Sequence, residues 1–177
     1  MMWYYVGQGC GVAVTLLSII FPLCREKKWM LILSAIVNAL AAVNLLLIGQ
    51  FGAAVFLNGF AVIHLLITLW HFSCDRPIVF WEKLLFMLGY IGIGVCGAVA
   101  SQNPIWVLEL LPVAAVIPFC ISVFVRDEQK TRKILLINIV IWMIYYVAVG
   151  STVVLAQSVS LITTIAALIK YRKKVDA

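Results

Sequence analysis

The chain has 177 residues, of which 65% are hydrophobic and 11% are charged, and its mean hydropathy is +1.13. A water-soluble domain of this length does not have enough interior for so many apolar side chains, so the composition excludes a soluble fold and indicates an integral membrane protein. The formal net charge of +6 suits contact with anionic lipid headgroups and does not call for a nucleic-acid partner.

Seven apolar segments follow one another along the chain, and each is long enough to cross a membrane as an α-helix. A hydrocarbon core about 30 Å thick needs roughly 20 residues per helix. The runs are continuous rather than alternating, which favours helices over a barrel. The predicted spans are residues 3–24, 29–48, 52–72, 82–100, 105–125, 132–149 and 152–171. The predicted fold class is therefore an all-α integral membrane protein with seven transmembrane helices.

Lys and Arg residues occur beside every second connector. All thirteen lie near the connectors that follow the first, third and fifth spans or near the end of the seventh, while the other three connectors contain none. This alternation is the positive-inside pattern. We therefore predict that the N-terminus faces outward and that the C-terminus is cytoplasmic.

The first three and the last three spans correspond when the chain is shifted by 101 residues. The shift lays Arg25 on Arg126 and Gly49 on Gly150, and both halves have the same order of helices, basic connector and short uncharged connector. This layout predicts parallel repeats in a 3+1+3 plan, as occurs in transporters that bind substrate near the midplane. The predicted units are residues 1–72 and 104–177, with residues 73–103 as a cytoplasmic loop and linker helix.

Three short stretches resemble a known family: QGCGV at 8–12, GAAVFLN at 52–58 and ELLPV at 109–113. They are similar to the bacterial inner-membrane family typified by YgjV, and the resemblance covers most of the chain. It implies a multi-pass protein of the bacterial inner membrane and names no cargo. The 3+1+3 plan is more distantly similar to SWEET and PnuC-type transporters. SWEET members often have a Pro-Gln pair in the first helix of each unit, where this chain has Pro22-Leu23 and Pro118-Phe119.

Polar residues within the spans are candidate site residues, because a polar side chain in lipid must face protein or a wet cavity. Asn58 lies near the middle of the third span, and Gln157 and Ser158 occupy the corresponding zone of the seventh. In a two-fold arrangement these helices face one central cavity, where amides offer donors and acceptors to a neutral polar solute. The alternative role of each residue is a hydrogen bond between helices.

Gln8 and Glu109 correspond under the same shift and lie toward the outer ends of their spans. Glu109 is the only acidic residue away from the cytoplasmic side. It is either a solvated carboxylate in the first turn of the fifth helix, favoured by the helix dipole, or a deeper group opposite Gln8. In the second case the pair forms an outer vestibule and contacts cargo or protons.

Trp142, Tyr145 and Tyr146 form an aromatic group in the sixth span. Anchoring at the membrane interface is the ordinary role of such residues. The alternative is an aromatic wall for a ring-shaped solute, which makes Trp142 and Tyr145 candidate substrate-binding residues.

The other polar residues of the spans are expected to serve packing. Asn38, Asn44 and Asn138 belong to the second helix of each unit, which we expect at the periphery, and His64 is expected to be a neutral packing residue rather than a proton relay. No His, Cys or carboxylate groups recur at ligand spacing, so no metal or cofactor is expected.

The leading hypothesis is a transporter or facilitator for a small polar solute, such as a sugar, nucleoside or vitamin, that alternates access between the two units. Its partners are the solute and the lipid bilayer, and a homo-oligomer is compatible with the plan. Catalytic motifs and a phosphate loop are both missing from the sequence, so an enzyme is not expected and transport is passive or ion-coupled. The alternatives are an accessory or structural membrane subunit and a seven-helix sensor. A retinal photoreceptor is disfavoured, because the nearest lysine in the last span, Lys170, lies at its cytoplasmic end.

Overall fold

The helices follow the predicted spans. A computed structural model describes residues 2–101 and 105–172, and this part of the chain contains seven helices that are long and apolar enough to cross a membrane. They are α1 (Met2–Ile20), α2 (Lys27–Leu47), α3 (Ala53–Ser73), α4 (Phe80–Ala100), α5 (Leu110–Phe124), α6 (Glu128–Ala148) and α7 (Val153–Arg172). Short 3-10 turns follow α1 (Phe21–Leu23) and precede α5 (Trp106–Glu109). Some residues that the sequence assigned to a connector and to the tail lie outside the described part of the chain. They are residues 102–104, Lys173, Lys174 and the side chain of Arg172.

Helix α6 begins four residues before its predicted start. The Asp127 carboxylate accepts a hydrogen bond of 2.7 Å from the backbone N–H of Lys130, which caps the first turn. Hydropathy assigned this charged turn to the connector. The structure instead makes it helical and buries Thr131 and Arg132 within it.

Six of the helices form a closed ring. In ring order they are α1, α2, α3, α5, α6 and α7, and α7 packs back against α1. Helix α4 packs on α3 and α5 from outside, where Gly97 allows a close approach because an added Cβ would lie 2.7 Å from the Cα of Ala53. The first three helices therefore meet the last three at two places, α1 against α7 and α3 against α5, which we call the two seams.

The ring has two chemically different ends. The α1–α2, α3–α4 and α5–α6 connectors lie at one end, which carries the Lys and Arg residues and which we call the basic end. The α2–α3 and α6–α7 connectors lie at the opposite end. This alternation is the charge pattern that the sequence predicts for a membrane protein.

The two connectors at the opposite end have the same backbone turn. Gly49 and Gly150 have φ angles of +84° and +66°, in the left-handed region that glycine favours. The N–H groups of Gln50 and Ser151 then bond to carbonyls five residues earlier, at 2.9 and 3.1 Å. Each turn ends one helix and lets the next begin after a few residues.

Large apolar side chains cover the outside of the bundle, as lipid contact requires. Trp81 is 73% exposed and Val99 is 82% exposed. Exposed aromatic residues also occur near both ends, with Trp3 and Tyr5 at the opposite end and Trp70 and Trp81 at the basic end. These residues have the positions expected of interface anchors.

Candidate functional site

A cavity of about 80 Å³ lies inside the ring, and all six ring helices contribute to its wall. A buried water needs about 10–15 Å³ on this scale, so the cavity has room for several waters or a small solute. Among the described residues, twenty line the cavity; nine of them carry a polar group in the side chain, and none is Lys, Arg, Asp, Glu or His. The nine are Ser18, Ser34, Asn38, Asn58, Asn138, Trp142, Tyr146, Gln157 and Ser160.

The cavity lies near the middle of the bundle. Asn38 is the twelfth of 21 residues in α2, and Asn138 is the eleventh of 21 in α6. At about 1.5 Å per residue, each is roughly 15 Å from either end of its helix. The sequence predicted that both asparagines serve only packing, because α2 and α6 were expected at the periphery. The expected peripheral position is wrong, since both helices belong to the ring and both asparagines line its cavity. Asn138 nevertheless keeps a packing role, because its amide bonds to the carbonyl of Ala115 in α5 at 2.8 Å.

The asparagine side chains present acceptors to the cavity. The amide nitrogens of Asn38, Asn58 and Asn138 donate to backbone carbonyls at 2.7, 2.7 and 2.8 Å. Among the described residues, the carbonyl oxygens of Asn38 and Asn138 have no protein donor. These oxygens are therefore placed to accept hydrogen bonds from a solute or from water.

Several other polar groups at the wall are not satisfied by protein. The Gln157 amide, the Ser160 hydroxyl and the Trp142 indole N–H make no hydrogen bond to any described residue. The Tyr146 hydroxyl lies within hydrogen-bonding reach of the Asn58 amide. A polar group left unpaired in a protein interior costs about 1–3 kcal/mol. The wall thus favours an occupant that brings its own hydrogen-bonding groups.

The structure brings three of the seven predicted site residues, Asn58, Trp142 and Gln157, to this cavity. Ser158 lies next to Gln157 in sequence but is turned about 100° around α7. Its hydroxyl donates to the carbonyl of Val154 at 3.0 Å and to the sulfur of Met143 at 3.7 Å. The remaining three, Gln8, Glu109 and Tyr145, also lie outside the cavity wall.

Glu109 lies at the α3–α5 seam and is 2% exposed. Its Oε2 atom accepts a hydrogen bond of 2.9 Å from the N–H of Ala53, the first residue of α3. The carboxylate therefore caps α3 from a neighbouring helix. The sequence left open that Glu109 is a solvated carboxylate, and this alternative is wrong because the side chain is buried. The buried Tyr145 lies within electrostatic reach of the same carboxylate.

Gln8 makes the corresponding contact at the other seam. Its side-chain oxygen accepts a hydrogen bond from the Thr152 hydroxyl, just before the start of α7. Gln8 and Glu109 thus each bind the start of a helix across a different seam. Asn44 adds to the α1–α7 side by donating to the carbonyl of Gly7 at 2.8 Å and accepting from the Ser151 hydroxyl at 2.9 Å. Asn44 is therefore a packing residue, as predicted.

Two buried cations join the first three helices to the last three at the basic end. Lys27, the first residue of α2, donates to the backbone carbonyl of Ser122 at 2.8 Å and to the Thr131 hydroxyl at 3.0 Å. Arg132 of α6 donates in the reverse direction, to the carbonyls of Pro22 at 3.1 Å and Cys24 at 2.8 Å.

Sequence reasoning gave these two cations only an orienting role. The shift of 101 pairs Lys27 with Glu128, so no repeat signal connects Lys27 with Arg132. Their reciprocal contacts become visible only when the ring is closed.

The aromatic group of α6 is buried rather than interfacial. Trp142 is 7% exposed, and its ring stacks on Tyr146 with the centroids 5.3 Å apart and the planes 21° apart. Trp142 and Tyr146 line the cavity, while Tyr145 packs in the neighbouring core. The interface-anchoring alternative for this group is therefore wrong.

His64 lies away from the cavity wall, between α3, α4 and α5. Its ring stacks on Phe86 at 4.1 Å, and its Nδ1 atom is 3.1 Å from the Tyr90 hydroxyl. The residue is fully buried, and its Nε2 atom has no partner among the described residues. Its surroundings agree with the predicted packing role.

The comparisons with known proteins give one result. The sequence model of the family Imp-YgjV, described as bacterial inner membrane protein, matches residues 5–175. The chain belongs to this family, which confirms the resemblance and places the protein in the bacterial inner membrane with several membrane crossings. No curated protein and no solved structure matches the chain, so the likeness to SWEET and PnuC-type transporters receives no support from these comparisons.

Proposed function

We propose that the protein moves a small, uncharged polar solute across the bacterial inner membrane by alternating access between two three-helix units. The observation that carries the proposal is the cavity near mid-depth whose wall holds polar groups that no described protein group satisfies. Helix packing alone does not require these polar groups, because apolar side chains can fill the interior of the bundle without the free-energy cost of desolvating a polar group. The proposal includes no catalytic step and no cofactor.

The proposal includes the 3+1+3 repeat and an orientation with the N-terminus outside and the C-terminus in the cytoplasm. Support comes from the matching turns at Gly49 and Gly150 and from the contacts of the ring. If α1 corresponds to α5 and α3 to α7, the α1–α7 seam corresponds to the α3–α5 seam. Helix α4, outside the ring, is then the linker that gives both units the same orientation.

Alternating access requires contacts at each end that form and break in turn. At the basic end, Lys27 and Arg132 hold each unit to the other through backbone carbonyls. At the opposite end, Gln8 and Glu109 each hold the start of a helix across a seam. Bonds between the two units are present at both ends here, and the proposal assigns this arrangement to an occluded state of the cycle.

The chemistry of the wall restricts the solute. The described part of the wall contains no Lys, Arg, Asp, Glu or His, so an ion inside would lack a counter-charge in a low-dielectric region. Oxygen acceptors from Asn38 and Asn138 favour a solute rich in hydroxyl or N–H donors. The closed volume of about 80 Å³ suits a small polyol or amide, and a sugar or nucleoside requires the units to move apart.

The test is a ligand screen followed by transport. Thermal unfolding of the purified protein is measured with neutral polyols, amides, sugars, nucleosides and vitamins, because a ligand of the folded state raises stability by RT ln(1 + [L]/Kd). Solutes that stabilise the protein are then tested for saturable uptake into proteoliposomes. We expect one chemical class to satisfy both measurements.

Gln157→Met and Ser158→Ala form a matched pair for this test, since the residues are adjacent and only Gln157 lines the cavity. We expect Gln157→Met to abolish ligand stabilisation and uptake and Ser158→Ala to retain both. Because no described protein group bonds to Gln157, its loss should change the free energy of unfolding by only about 0.5 kcal/mol. Uptake that survives in both Gln157→Met and Asn58→Ala would contradict the proposal.

A further inference from the structure

A second cavity, of about 370 Å³, lies at the basic end of the bundle and is separate from the solute cavity. The end of α3, the α3–α4 connector, the start of α4 and the end of α5 form its wall. The lining residues are Phe72, Arg76, Pro77, Ile78, Lys83, Phe124 and Arg126. The pocket therefore combines three permanent cations with an apolar wall.

The three cations of this pocket, Arg76, Lys83 and Arg126, have no carboxylate partner. Within the described residues, none of them has an Asp or Glu oxygen within 4.0 Å, and none donates a side-chain hydrogen bond to protein. All three side chains are exposed, and three like charges around one pocket attract an anion to it.

Three carboxylates close in sequence to the cations bond elsewhere or do not line the pocket. Glu82 accepts from the N–H of Val79 at 2.9 Å and lies 3.2 Å from Nε2 of His71. Asp127 caps α6. Asp75 is exposed and does not line the pocket. Among the described residues, no acidic side chain lines the pocket or lies within 4.0 Å of its three cations.

Aromatic rings hold the cations in position without using up their N–H donors. The Arg126 guanidinium lies 5.9 Å from the Phe72 ring centroid, and Lys83 Nζ lies 6.0 Å from that of Phe124. Arg76 lies 5.3 Å from the Trp70 ring. Because neither guanidinium donates a side-chain hydrogen bond to the described protein, each can bind an oxyanion through two parallel hydrogen bonds.

We propose that this pocket binds a phosphate group, with the two arginine forks and the lysine as its ligands. An anionic phospholipid supplies that group where the pocket lies, because exposed Trp70 and Trp81 mark the same level as a membrane interface. The apolar residues Phe72, Ile78 and Phe124 then face the glycerol and upper acyl region of the lipid. A free phosphate ion shares the same recognition chemistry and is separated from the lipid by experiment.

The experiment uses the full chain purified in a neutral detergent. Thermal unfolding and native mass spectrometry are recorded during titration with phosphatidylglycerol, with phosphatidylcholine and with inorganic phosphate. The test variant is Arg76→Gln/Arg126→Gln. The matched control is Lys28→Gln/Lys133→Gln, which removes the same charge from exposed residues of the basic end that do not line the pocket.

We expect phosphatidylglycerol to stabilise and remain bound to the wild type far better than phosphatidylcholine. Each cation near a membrane surface contributes about 1 kcal/mol, so the concentration for half-saturation should rise about thirtyfold in the test variant. The control should keep the wild-type curve. Arg76→Lys/Arg126→Lys should show a smaller loss, because charge remains while the forks are gone.

If inorganic phosphate competes with phosphatidylglycerol for binding, or raises the melting temperature of the protein by itself, the result would support the site and identify the free ion as its ligand. Equal effects of the two lipids would overturn the proposal. A control variant that loses as much as the test variant would also overturn it, since diffuse surface charge would then explain the binding. Both variants change exposed side chains, and unchanged melting without lipid verifies that each folds.

Discussion

Gly52→Ala provides a sharp test of the seam between α3 and α5, because the cost of the added methyl group should depend on Glu109. A Cβ at position 52 would lie 2.6 Å from Oε2, 3.0 Å from Cδ and 3.1 Å from Oε1 of Glu109. The whole carboxyl group must therefore shift. The φ angle of Gly52 is −161°, an extended value that alanine also adopts, so the backbone itself adds no strain.

The magnitude follows from these distances. Forcing a methyl group into a packed site costs about 1–3 kcal/mol, and displacing Glu109 also weakens the charge-assisted bond that caps α3. In a Glu109→Ala background the clash is absent. Gly52→Ala should there be neutral or stabilise by about 0.4–1 kcal/mol, through the entropy of the unfolded chain. The expected coupling energy between the two sites is thus about 1.4–4 kcal/mol.

The assay is equilibrium unfolding in mixed micelles of the wild type, the two single variants and the double variant. Gly59→Ala is the control, because Gly59 lies in the same helix with open space around it. It should stabilise by about 0.5–1 kcal/mol in either background. If Gly52→Ala lowers the free energy of unfolding equally with and without the Glu109 side chain, the added methyl group and the carboxyl group do not compete for space. That result would contradict the close contact between Gly52 and Glu109 at this seam.

Two further predictions concern the basic end and the connectors. Arg132→Ala should lower the free energy of unfolding by about 3–5 kcal/mol and Arg132→Lys by less, because two charge-assisted bonds and a contact 4.9 Å from the Tyr171 ring are lost. Lys133→Ala, at the exposed neighbouring residue, should cost under about 0.5 kcal/mol in the same equilibrium unfolding measurement. An equal cost at both positions would contradict a stabilising role for the Arg132 bonds to Pro22 and Cys24. Gly49→Ala and Gly150→Ala should each cost about 1–2 kcal/mol, since their φ angles are positive while the space around them is open. A large difference between the melting temperatures of these two variants would contradict the equivalence of the two turns.

The candidate site was only partly predictable, because helix rotation decides which residues face the cavity. Asn58 and Gln157 were found by depth alone. Ser158 shared that depth and yet lies on another side of α7, where its hydroxyl bonds to the carbonyl of Val154. Asn38 and Asn138 were assigned to packing, since nothing in their sequence neighbourhood reports that α2 and α6 face the interior.

Glu109 illustrates a second limit. Its charge and place near a helix start are compatible with solvent exposure in a linear sequence. Its burial depends on Gly52 and Ala53, which lie more than fifty residues away in the chain. The packed α3–α5 seam brings the N–H of Ala53 to the Glu109 carboxylate, and this N–H replaces water as the hydrogen-bond donor.

The sequence by itself determined the class of the protein, the number of its helices, their bounds to within about five residues, and the end of the bundle at which the cations lie. These properties follow from the energetic cost of placing polar backbone and charge in hydrocarbon, which acts on each segment separately. Only the tertiary structure decided which polar side chains meet in one cavity, how Lys27 and Arg132 join the first three helices to the last three, and which three cations share a pocket. Those properties depend on the rotation and pairing of helices, which are set by contacts between residues far apart in the chain.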